Sequence, residues 1–278
     1  MMTDQETKYR LLRALRPFSF SVALITCLVG VVSAFQLPQF SWLIAAFILL
    51  AAVVLQAGVN LINDYSDLSL IGDSRLRLMI ERNFRIGLIC FLLAAMVGIY
   101  LVTYVGTGLL ILLLIGLAGA LGYTLEPVNF KRRGLAVVLV FWLMGVLMVC
   151  GSYYIIAGSL EWSVFWRSVP VSLISSLLLL ANEIRDIDTD TAAGIRTLSV
   201  RIGRQRAQLL YRTLLLAVIV LSGLFWWLQL VSSGWWLVSL PLILLLWQRV
   251  SQSSELSKLP PDTGRFFMLF GLSYCLSL

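Results

Sequence analysis

Apolar residues fall into nine runs separated by polar stretches: residues 18–36, 41–62, 86–105, 108–124, 135–157, 163–182, 208–230, 235–248 and 265–278. Most approach the ~20 residues that an α-helix needs to cross the hydrocarbon core of a bilayer. The pattern predicts an all-α fold, a polytopic membrane bundle of about nine transmembrane helices. Residues 1–278 read as a single transmembrane domain without a soluble module. Alternate connections are very short and rich in Gly, Pro and Ser, as at Gln36-Leu37-Pro38, Gly106-Thr107-Gly108, Gly158-Ser159-Leu160 and Ser232-Ser233-Gly234. Such residues suit tight helix-to-helix turns. The connections on the other side are longer and hold nearly all the ionisable groups, so function is expected there.

Composition sharpens this reading. Hydrophobic residues make up 60% of the chain and charged ones only 13%, about half the ~25% of an ordinary soluble domain. The segment from Met1 to Arg16 is polar and the run from Phe18 is long enough to span, so no cleavable signal peptide is expected. The net charge is +7, which by itself would admit a nucleic-acid partner. Its distribution argues otherwise: in the nine-span topology every Lys and Arg except Arg167 lies on one side. By the positive-inside rule that side is cytoplasmic. The charge is topology, and no nucleic acid is expected as a partner. An integral protein of a bacterial or archaeal cell membrane, with its active site facing the cytoplasm, is the resulting expectation.

Cys27, Cys90, Cys150 and Cys275 sit inside apolar runs without a Cys-x-x-Cys spacing and read as packing residues. The chain has no histidine, which excludes a His-based triad or a His-ligated metal. The nine tryptophans, including Trp226-Trp227 and Trp235-Trp236, fit an interfacial aromatic belt.

Two acidic clusters carry the candidate chemistry. The first is Asn60, Asn63, Asp64 and Asp67, followed by Asp73; the second is Asn182, Glu183, Asp186, Asp188 and Asp190. They close the second and sixth runs and hold half of the chain's 14 carboxylates. Carboxylates near hydrocarbon cost roughly 2.5–3.5 kcal/mol each on insertion scales, so they point first to function. On a helix, Asn60, Asp64 and Asp67 share one face, with Asp73 reaching back from the loop. Asn182, Asp186 and Asp190 likewise form one stripe, with Asp188 pointing elsewhere. Two facing stripes suit Mg²⁺, which is held by a few carboxylates and completed by phosphate oxygens. A bound diphosphate is the natural complement.

Together these residues carry a family resemblance. Asn63-Asp64-x-x-Asp67, with Asn60 and Asp73, resembles the first aspartate-rich motif of the UbiA superfamily of intramembrane prenyltransferases. Asn182-x-x-x-Asp186-x-x-x-Asp190, continuing through Arg196-Thr197-Leu198-x-Val200-Arg201-x-Gly203, resembles the second. Tyr123-Thr124-x-x-Pro127 followed by Lys131-x-Arg133-Gly134 resembles the central cytoplasmic loop. The match is nearest the menaquinone branch, the 1,4-dihydroxy-2-naphthoate polyprenyltransferases. Departures are Ile195 where the second loop often has lysine, and Ala136-Val137 where many members carry a Gly-acidic pair.

The resemblance implies a helix bundle around a central cavity and transfer of a polyprenyl chain from its diphosphate to an aromatic acceptor in the lipid bilayer. Asp64, Asp67, Asp186 and Asp190 would hold Mg²⁺ as catalytic and metal-binding residues. Lys131, Arg133, Arg196 and Arg75 would meet the departing diphosphate. Asn60, Asn63, Asn182, Asp73 and Tyr123 complete the expected substrate site. On the residues alone two alternatives stay open: transfer to a porphyrin, chlorin or lipid alcohol, and a non-enzymatic ion-coupled carrier. Pyrophosphate release separates enzyme from carrier.

Overall fold

The computed structural model describes residues 9–65, 68, 71–124 and 127–278. Each apolar run falls on a helix there. A short α1 (Leu11–Ala14) precedes α2 (Pro17–Ser33), α3 (Trp42–Asn63), α4 (Ser74–Val105) and α5 (Thr107–Thr124). Then come α6 (Ala136–Ala157), whose middle winds as a π-helix at Phe141–Leu147, and α7 (Trp162–Ala192). The chain ends with α8 (Leu198–Ile202), α9 (Arg204–Trp227), α10 (Leu240–Arg249) and α11 (Leu259–Cys275).

Among the described residues five helices are long and apolar enough to cross a membrane: α3, α4, α6, α7 and α9. Shorter apolar helices at Ser19–Ser33, Thr107–Tyr123 and Trp235–Arg249 accompany them. The protein is an integral membrane protein. Its outer surface is apolar, with Leu92 and Ile99 of α4 and Ile111 and Leu114 of α5 exposed. Lipid tails are as apolar as leucine, so these side chains lose nothing by facing outward.

Three helix boundaries differ most from the apolar runs. α4 starts at Ser74 rather than 86, because Arg75, Arg77, Arg82 and Arg85 lower hydropathy without breaking a helix. Leu76 and Ile80 on the same segment are buried, so it still has a packed face. α7 runs on through the acidic cluster to Ala192, and α11 begins at Leu259 rather than 265.

Two helices organise the packing. α2 contacts α3, α6, α7 and α11, while α7 contacts α2, α6, α8, α9 and α11. The α6–α7 crossing is close: a Cβ on Gly145 would overlap Ser172, whose Cα lies only 2.6 Å from it. The same two helices are joined by Ser176 Oγ, which donates to the Val137 carbonyl at 2.8 Å. Other serines on α7 satisfy themselves within the helix, Ser172 on Ser168 O and Ser175 on Val171 O. Hydrocarbon offers no water to do so.

Candidate active site

The first cluster is bound to the N-terminal arm. α3 ends at Asn63, and Asp64 caps it at the start of a 3₁₀ turn. The expected stripe therefore stops short: Asp64 is not on a further turn of α3, and Asp67 lies outside the described residues. Short polar side chains that bond elsewhere favour such an end, and here both candidates do. Asn60 is buried; its Nδ2 donates to Leu15 O (2.7 Å) and Ser19 Oγ (2.6 Å), while its Oδ1 accepts from Gln56 Nε2 (3.0 Å). Buried Asp64 takes Arg16 Nη2 on Oδ1 at 2.6 Å. Arg16 reaches it from a left-handed backbone (φ 49°) at the cap of α2.

Asp73 corrects another expectation. It does not reach back toward Asp64 but caps α4, its Oδ1 accepting from Arg75 N at 2.7 Å. Both Asp73 and Arg75 are exposed, as is Asn63 at the end of α3.

The second cluster is on a continuous helix, because α7 does not stop at the apolar boundary. Asp186 and Asp190 stand one turn apart and interact electrostatically. Arg185 grips Asp186 with a two-pronged bond, Nε to Oδ1 at 2.7 Å and Nη2 to Oδ2 at 2.6 Å. Asp190 Oδ2 meets Thr197 Oγ1 at 3.4 Å. Asp188, off the stripe, pairs with Arg204 at 2.7 Å. Asn182 turns its amide back to Leu178 O at 2.8 Å.

The central loop joins this cluster. Its backbone is tied to α5 by Phe130 N to Gly122 O (2.9 Å) and Lys131 N to Tyr123 O (3.1 Å). Lys131 comes within electrostatic reach of Asp190 and Glu183, and Tyr123 within reach of Glu183. Arg133 instead turns to its own loop, Nη2 donating to Pro127 O at 2.7 Å. Arg196 is exposed, and its carbonyl accepts from Arg201.

Glu183 is a residue that the expected stripe of Asn182, Asp186 and Asp190 left out. It precedes Asp186 by three positions and Asp190 by seven, so it shares their helix face, and it is buried; Oε2 accepts from Ser199 N at 3.1 Å, and Oε1 has no hydrogen-bond partner. Its sequence signal is the i, i+3, i+7 spacing of Glu183, Asp186 and Asp190. Arg16 was missed because its charge was fully accounted for by topology.

Among the described residues no three His, Cys, Asp or Glu side chains gather into a metal cage. Mg²⁺ seldom uses one; one or two carboxylates plus water and substrate phosphate is the usual arrangement. Asp186 and Asp190 are hard oxygen donors one turn apart, and the orphaned, buried Oε1 of Glu183 belongs to the same helix face, within electrostatic reach of Asp190. That donor set suits Mg²⁺. Arg185 is partly exposed, so exchanging its grip on Asp186 for a cation costs little.

The UbiA prenyltransferase family model matches residues 23–272, nearly the whole chain. The chain belongs to the UbiA prenyltransferase family. It is accordingly a membrane enzyme of prenyl transfer. Among UbiA relatives, 1,4-dihydroxy-2-naphthoate octaprenyltransferase of Mycobacterium leprae is 31% identical over 93% of this chain and 92% of its own. The Escherichia coli enzyme of the same name is 30% identical over 89% and 86%. The fold matches a UbiA homolog from Archaeoglobus fulgidus bound to DMAPP and Mg²⁺, with TM-score 0.63 and 16% identity over 96% of this chain and 99% of that one. A digeranylgeranylglyceryl phosphate synthase structure matches with TM-score 0.64 and 16% identity over 99% of both chains.

Proposed function

We propose that this protein transfers a polyprenyl group from its diphosphate to 1,4-dihydroxy-2-naphthoate, in a Mg²⁺-dependent reaction at the cytoplasmic face of a prokaryotic cell membrane. One observation carries the catalytic part: Lys131, from the central loop, lies within electrostatic range of Asp190 and Glu183 at the end of α7. Cation and carboxylates together form a place for a metal-bound diphosphate. The acceptor is supported by the naphthoate octaprenyltransferases among the relatives. Residues 1–278 act as one membrane domain.

Asp186 and Asp190, with Asp64 and Asp67 of the first motif, would hold Mg²⁺. When bound, the ion supplies Lewis-acid neutralisation of the diphosphate. Lys131 and Arg196, with Arg75 and Arg133 near the loop ends, stabilise negative charge on the leaving oxygens. The allylic carbon–oxygen bond breaks with its electron pair going to the diphosphate. Apolar helix walls keep water from the allylic cation, and the electron-rich ring carbon bonds to it. The ring then recovers aromaticity by losing carbon dioxide where that carbon bears the carboxylate, or a proton where it bears hydrogen. Asn60, Asn63, Asn182 and Tyr123 orient these groups.

The test uses purified protein in detergent with Mg²⁺, a labelled polyprenyl diphosphate and 1,4-dihydroxy-2-naphthoate. Pyrophosphate and a prenylated naphthalene, identified by mass spectrometry, are the expected products. A folded preparation that neither binds the diphosphate nor turns over rejects the reading, and turnover only with another aromatic rejects the acceptor.

A further inference from the structure

Two cytoplasmic loops far apart in sequence are joined by one side chain. Arg201 sits on α8, just after the acidic end of α7. Its Nε donates to Arg196 O at 3.0 Å, within its own loop. Its Nη2 donates to Arg132 O at 3.0 Å, across 69 positions, in the central loop. The guanidinium thus spans two backbones with two different nitrogens, which a lysine ammonium, a single point donor, does not reproduce.

Each loop is otherwise anchored to a different helix. The central loop hangs from α5 through Phe130 N and Lys131 N. The loop after α7 is sewn to α7 by Ser199 N on Glu183 and Thr197 on Asp190. Arg201 therefore fixes how the loop bearing Lys131 stands against the helix bearing Asp190. The seat is built for it. Gly134 has φ 76°, and a Cβ there would lie 2.7 Å from Arg201 Cδ and 3.0 Å from Nε. Only glycine accepts both that backbone and that approach.

We propose that Arg201 is a positioning residue for prenyl transfer: it locks the two loops so that Lys131 and Arg196 meet the donor diphosphate as one unit. The assignment rests on the function proposed above. It involves no contact between Arg201 and substrate; the residue acts through the backbones it holds.

The experiment compares wild type, Arg201→Lys, Lys131→Ala and the double variant for donor KM, acceptor KM, kcat and unfolding temperature. Loss of the two-carbonyl fork in Arg201→Lys should raise the donor KM by about tenfold, the worth of a charged hydrogen bond. Acceptor KM and unfolding temperature should stay at wild-type values, which a merely structural role would not produce. In the Lys131→Ala background the same change should cost only about threefold, because one of the two cations it positions is gone and Arg196 remains. Gly134→Ala, which disturbs the seat but keeps Arg201, should also raise the donor KM selectively, and it decides the matter if Arg201→Lys does not fold. An active wild type with unchanged donor KM in these variants overturns the proposal alone, as does a full effect on top of Lys131→Ala. A wild type that neither binds donor nor transfers overturns the functional reading and this assignment with it.

Discussion

Replacing Gly145 by alanine tests whether the close α6–α7 crossing organises the bundle. The added Cβ would overlap Ser172 Oγ and Cβ, and it would lie 2.6 Å from the Ser172 Cα. Rotating the serine relieves the Oγ contact but not those with Cβ and Cα, which the backbone fixes, so the helices themselves must part. Overpacking of this kind costs typically 1–3 kcal/mol, and a backbone obstacle puts it near the top, at about 3 kcal/mol. Alanine recovers up to ~1 kcal/mol over glycine in a helix interior. The net loss is about 2 kcal/mol, or roughly 4–8 °C in unfolding midpoint for a chain of this size. Gly151, on the same helix, is the control, since a Cβ there meets nothing within 4 Å. Gly151→Ala should be neutral or slightly stabilising. Thermal unfolding in one detergent, followed by tryptophan fluorescence, measures both. A Gly145→Ala protein as stable as Gly151→Ala refutes the crossing as drawn. Ser172→Gly in the Gly145→Ala background should recover only part of the loss, since the Cα remains.

Two further outcomes follow from the polar contacts. Asp186→Ala should lower kcat/KM by about a hundredfold or more, the scale of removing one charge-stabilising group from an active site. Its pair with Arg185 is partly exposed on both sides, so unfolding should move by less than about 1 kcal/mol; an inactive but also unfolded variant would undo that reasoning. Tyr211→Phe removes a buried hydroxyl bonded to Thr263 Oγ1 at 2.7 Å, which ties α9 to α11. Thr263 keeps its own acceptor on Leu259 O, so equilibrium unfolding should show a loss of about 1 kcal/mol, and no loss at all would mean that the bond contributes nothing.

The local pattern was legible where a single helix decides it. Asn182, Asp186 and Asp190 share a face because α7 continues to Ala192, as its spacing implied. The first motif has similar spacing, yet α3 stops at Asn63. The difference lies in what surrounds each segment. Asn60 and Asp64 turn toward Leu15, Ser19 and Arg16, more than forty positions earlier, and no window along the chain contains that arm. Asp73 was misread in the same way, since capping α4 competes with reaching a distant cluster and the nearer partner won. Hydropathy placed α4 late because arginines look like loop to a transfer scale, although they fit a helix that rises from the interface.

Sequence by itself determined that this is a membrane helix bundle and that half of its carboxylates gather near two helix ends. A bilayer demands unbroken apolar length and rejects charge, so those properties are written locally. Tertiary structure alone decided that Arg16 holds Asp64, that Glu183 is buried under Ser199, and that Arg201 bridges to Arg132. Those partners are chosen by how nonadjacent helices and loops come together, and each polar group takes whichever opposite group that packing brings within about 3 Å.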